Sequence, residues 1–149
     1  MPRAVSRRTS APTAALVADE RDLVPALRAA LADARALDPV LLDLRPLGAW
    51  VDGFILCHGT SARHLQTIAD KVREALERAT RARCPVEGVP DSGWVLVDGG
   101  ALIVHIFDAE RREFYDLERL WGDAPRAVLS DEGEDVGRRN TATAAATAD

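Results

Sequence analysis

With 149 residues, 47% of them hydrophobic, the chain has room for one domain whose core can fold without disulfides or structural metals. No apolar run approaches the ~18 residues that a membrane-spanning helix needs. The net charge of −5 comes mostly from the second half of the chain, for which free nucleic acid is a poor partner.

Residues 1–18 are rich in Ser, Thr, Pro, Arg and Ala without periodicity and are expected to form a disordered leader. Their composition also fits a transit peptide, whereas a secretory signal would need a continuous apolar segment. A single domain is expected over residues 19–126. It begins with a helix from about Asp22 to Ala36, where Leu23, Val24, Leu27, Ala30, Leu31 and Ala34 share one face. Asp22 can cap it, Pro25 falls in its first turn, and Asp38-Pro39 ends it. Val40–Leu44 and Phe54–His58 are mostly apolar runs, as in strands covered on both faces, with a turn at 46–50 between them. Thr60 or Ser61 can cap a second helix, 62–82, with an apolar stripe of Leu65, Ile68, Ala69, Val72, Leu76 and Ala79.

Pro85–Gly88 suits a brief edge strand. Trp94–Asp98 and Ala101–Phe107 follow as strands joined at Asp98-Gly99-Gly100, a tight-turn signal. The last helix is expected from Ala109 to Leu120, with Phe114, Leu117 and Leu120 anchoring it. Residues 127–149, an acidic run and a Thr/Ala repeat, are expected to be a disordered tail. This order of elements predicts an α/β fold of the α+β type: a mixed sheet of about five strands flanked by helices.

Several residues invite a chemical reading. Gly59-Thr60-Ser61 opens a helix after a strand and resembles the Gly-Ser motif that holds a nucleotide phosphate in nucleotidyltransferases. That chemistry needs paired acids close behind, and the first acid here is Asp70. A helix cap is the simpler reading, with a nucleotide-binding enzyme as the alternative. Cys57 and His58 are adjacent in a strand and point to opposite faces, so they cannot form one site with His64. Two cysteines, Cys57 and Cys84, without metal spacing suit a reducing cytoplasm. His105 shares a strand face with Ile103 and Phe107 and reads as a core or interface histidine. No catalytic residue, metal or cofactor is expected.

The hairpin carries the sharper signal. Alternation places Trp94, Leu96 and Asp98 on one face and Val95 and Val97 on the other. If the valines pack on helices, a Trp beside an acid is left for solvent or a partner, the make-up of a binding hot spot. A core Trp fits the same pattern equally well.

These residues carry a resemblance. Leu42-Asp43-Leu44, Gly59–His64 with Ile68-Ala69-Asp70, Val86-Glu87-Gly88, Asp91–Asp98, Val104–Phe107 and above all Arg112–Trp121 occur in the order and spacing of the ribosomal silencing factor family (RsfS, or Iojap). The resemblance covers Leu23 to Pro125. It implies a fold related to nucleotidyltransferases without their catalytic acids, and a non-enzymatic translation repressor. Such a factor binds the fourteenth protein of the large (50S) ribosomal subunit and blocks joining of the small (30S) subunit when nutrients are short. By motif, Trp94, Leu96 and Asp98 are the contact residues, with Glu87 less specific. Gly53, Gly99 and Ala101 depart from the family's usual pattern, which puts the hairpin turn's share of the interface in doubt.

Charge agrees with that partner. Residues 21–83 hold ten basic and eight acidic side chains, but residues 84–125 hold three basic and nine acidic. The acidic second half suits a basic protein surface and opposes direct binding of rRNA or DNA. A Trp-bearing apolar face also suits self-association, so a weak homodimer is an expectation for the isolated protein.

Overall fold

A computed structural model describes residues 23–130. Helix α1, Leu23–Asp33, buries Leu23, Val24, Leu27 and Leu31, which recur at the three- and four-residue spacing of one helix face. The proposed cap Asp22 and the leader lie outside the described residues. Strand β1 runs Leu37–Asp43, starting earlier than expected because a bulge between Leu37 and Val40, with Asp38 at φ +47°, absorbs the Asp-Pro pair. Strand β2, Gly53–Gly59, and helix α2, Ala62–Thr80, follow. Ser61 caps α2, its Oγ accepting from the His64 amide at 3.0 Å. The edge strand β3 is Val86–Glu87, β4 is Trp94–Asp98 and β5 is Leu102–Asp108.

Six strands form one sheet in the order β3-β4-β5-β2-β1-β6. Only β2 and β5 run parallel; the other neighbouring pairs are antiparallel. The sixth strand, β6 (Arg126–Val128), was not expected. It pairs with β1, and Ala127 and Leu129 are buried, so the fold continues past the expected boundary at 126. The rest of the expected tail, from residue 131, lies outside the described residues.

Period-two alternation gives the sheet two faces. Helices α1 and α2 cover one, burying Leu41, Ile55, Cys57, Val95, Val97, Leu102, Val104 and Ile106 with Leu65, Ile68, Ala69, Val72 and Leu76 of α2. Ala79, expected in that stripe, is exposed in the helix's last turn. Each such side chain contributes about 2 kcal/mol by leaving water. The other face has its own core of Val40, Leu42, Phe54, Leu56, Ile103 and Phe107. Leu44, Ala49 and Val51 from the β1–β2 loop, and Leu117, Trp121 and Ala124, pack over it. This cover lies over the β1, β2 and β5 side, where the loop and the C-terminal segment reach, and leaves β4 partly open.

The single last helix is corrected. It is two pieces, α3 (Ala109–Tyr115) and α4 (Leu117–Leu120), broken where Asp116 takes φ +48°. The break takes the expected stripe apart: Leu117 packs on the second core, while Phe114 and Leu120 are 76% and 71% exposed. Neither anchors the fold.

Candidate docking face

Directly opposed residues in an antiparallel pair share a face. The register sets Glu87 against Leu96 and Leu96 against His105, with Trp94 against Phe107 and Asp98 against Ile103. Glu87, Trp94, Leu96 and Asp98 therefore stand together on the face away from α1 and α2. The expected division of β4 holds: Val95 and Val97 are in the helix-side core. Its outer residues are less free than a bare strand face would make them. Trp94, Leu96 and Asp98 are half-buried, and only Glu87 is exposed.

The reason is an aromatic cluster. The Trp94 ring lies 4.6 Å from Tyr115, 5.1 Å from Phe107 and 5.8 Å from His105, centroid to centroid. Tyr115, on α3, continues to the exposed Phe114 at 5.0 Å. Inward, His105 meets Phe54 edge to face at 4.5 Å. Trp94 Nε1–H donates to His105 Nδ1 at 3.2 Å, a diagonal contact across the β4–β5 pair. An indole N–H can only donate, so Nδ1 is bare and the neutral ring carries its proton on Nε2. That Nε2 has no hydrogen-bond partner among the described residues. His105 is 5% exposed, and burial pushes its pKa down to about 4. Sequence reasoning placed His105 on this face but missed its bond to Trp94; the hairpin register was the signal that brings the two within reach.

The rim is acidic. Asp91 and Glu87 are exposed beside the strand, and α3 adds exposed Glu110 and Glu113. Two cations of α3 are engaged: Arg111 reaches Glu110 at 3.2 Å, and Arg112 pairs with Glu118 at 2.9 Å. Asp98 Oδ1 accepts the Gly100 amide at 2.9 Å, closing the hairpin turn.

The other chemical candidates do not assemble. Cys57 is fully buried under the helices, which pushes its thiol up to about 12. His58 lies on the opposite face, its Nδ1 2.9 Å from Arg112 Nη1. Burial first, and then the Arg112 charge, lower its pKa. In the Gly59-Thr60-Ser61 loop, the Thr60 amide donates to His64 Nδ1 at 2.9 Å, while His64 Nε2 lies 2.9 Å from the Ala34 carbonyl. A Cβ on Gly59 would come 2.9 Å from the same imidazole nitrogen. The loop is thus filled by its own helix, and the Thr60 amide is not offered to a phosphate. An open groove of about 1070 Å³ between α1 and α2 is lined by alanines and by the paired charges Asp33–Lys71 and Glu74–Arg78, away from the Trp94 face.

Comparison with known proteins gives a consistent result. A family model described as "Ribosomal silencing factor during starvation" matches residues 17–149. The ribosomal silencing factor RsfS of Bacillus subtilis is 36% identical over 111 residues, covering 74% of this chain and 94% of its own. A mouse protein named for mitochondrial assembly of the ribosomal large subunit is 32% identical over 89 residues, 58% of this chain and 39% of that protein. A crystal structure of a Chromobacterium violaceum protein superposes with a TM-score of 0.63 at 31% identity, over 68% of this chain and 85% of the other. The chain belongs to the ribosomal silencing factor family.

Proposed function

We propose that the protein represses translation by docking on the large ribosomal subunit through the Trp94 face and blocking the small subunit sterically. The observation that carries this reading is the half-covered strip of Trp94 and Leu96, flanked by Asp98 and Glu87, on a preformed sheet in a member of this family. Its apolar centre and acidic rim fit a basic protein surface, and the fourteenth protein of the large subunit is the proposed partner. The name of the mouse relative supports the large subunit as the docking side. No bond need be made or broken, because occupancy is enough. At a free concentration of about 100 times Kd, docking disfavours competing states by ~2.7 kcal/mol. The site of action is proposed to be the cytoplasm, and the same apolar strip would support a weak homodimer when no ribosome is present.

The test is co-sedimentation with separated large and small subunits. The wild type is expected to travel with the large subunit alone and to slow subunit joining. Trp94→Glu is expected to lose at least ~2 kcal/mol of affinity, as hot-spot residues do, while remaining folded. A folded Trp94→Glu protein that still binds at full strength sinks the interface.

A further inference from the structure

We propose that His105 is a positioning residue for docking: it draws the Trp94 indole N–H inward, so that Trp94 meets its partner through ring carbons alone. The inference rests on the docking reading above and adds the chemistry of the contact.

A tryptophan ring turns broadly about its second side-chain torsion, and an exposed indole commonly offers its N–H to a binding partner. Here the N–H is already used, donating to His105 Nδ1 at 3.2 Å. Phe107 and Tyr115 lie against the ring at 5.1 and 4.6 Å, so one bond and two aromatic contacts hold a single orientation. His105 has no other polar role among the described residues. Its Nε2 is buried and without a hydrogen-bond partner, a cost that an apolar residue of the same size would avoid. The bond to Trp94 is what the imidazole adds there. With its N–H turned inward and acids at its rim, the indole fits the aliphatic stem and cationic head of a Lys or Arg better than a hydrogen-bond acceptor.

Two variants of the full chain separate this role from simple packing. In His105→Asn the amide can place an acceptor where Nδ1 sits, whereas in His105→Gln the amide reaches the Nε2 position and leaves Trp94 without a partner. The readouts are the exchange of the Trp94 indole N–H with water by ¹⁵N NMR and co-sedimentation with the large subunit. In the wild type this N–H should exchange much more slowly than that of Trp50, which is 82% exposed. The Gln variant should exchange fast and bind about fivefold more weakly, and the Asn variant should restore both. Fast exchange in the wild type overturns the proposal without any variant. So does a folded Gln variant with fast exchange and undiminished binding. If Trp94→Glu itself binds normally, the docking reading has failed, and the exchange rates still show whether His105 holds the indole.

Discussion

Arg112 Nη1 lies 2.9 Å from His58 Nδ1, and the same guanidinium reaches Glu118 at 2.9 Å and the Leu37 carbonyl at 3.4 Å. One side chain of α3 is thereby tied to β1, β2 and α4, which keeps Tyr115 against Trp94. A guanidinium only donates, so His58 must offer a bare Nδ1. His64 and His105 also accept through Nδ1, from the Thr60 amide and the Trp94 indole.

Acid should therefore loosen the protein. The folded pKa values of His58 and His105 lie below the ordinary 6.5, and that of His105 is about 4. As pH falls through 6.5 the unfolded chain takes up protons first. Stability is whole above that value and is lost progressively toward pH 4. Between pH 7 and pH 5, His105 alone should remove about 2 kcal/mol. Urea denaturation at the two pH values measures the loss, and His105→Asn should reduce it.

Gly93 is a second sensitive point. It sits at φ +83°, and a Cβ there would come within 2.5 Å of Asp108 Oδ2 and 2.9 Å of Arg111 Cγ. Asp108 caps α3, its Oδ1 accepting the Arg111 amide at 2.7 Å, and its own amide donates to the Gly93 carbonyl at 2.9 Å. Gly93→Ala should combine a left-handed backbone penalty with a displaced cap, about 2–3 kcal/mol together. A lower urea midpoint with an unchanged slope would report this as a loss of stability alone.

The parts of this fold that were legible in the sequence were those with a period or a turn signature. The division of β4 followed from strict alternation bounded by Asp98-Gly99-Gly100, and the α2 stripe followed from 19 helical residues of one pattern. The break at Asp116 was not legible, because Phe114, Leu117 and Leu120 fit a continuous helix equally well and Asp tolerates the left-handed conformation. Strand β6 was missed because three residues hold too little alternation to stand out. At the candidate face, strand geometry named the side chains but not their hydrogen bonds. Which atom Trp94 offers outward depends on its ring orientation, and that is set by Phe107, Tyr115 and His105 from other elements.

Asp43 and Arg45 make the most severe prediction. Both are buried, at 0% and 1% exposure, and the guanidinium donates Nε and Nη2 to the two carboxylate oxygens at 2.9 Å each. The Arg45 amide adds a third bond to Oδ1 at 3.1 Å. The pair ties the end of β1 to the loop that lays Ala49 and Val51 over the second core. Asp43→Ala would strip a buried guanidinium of its two-pronged acceptor, and removing one partner of such a pair costs about 3–5 kcal/mol. Replacing both, as in Asp43→Leu with Arg45→Met, should cost much less, since the desolvated charge goes too. Thermal unfolding of the two variants compares them directly. A single variant no less stable than the double would mean that the loop is held by its apolar contacts rather than by this ion pair.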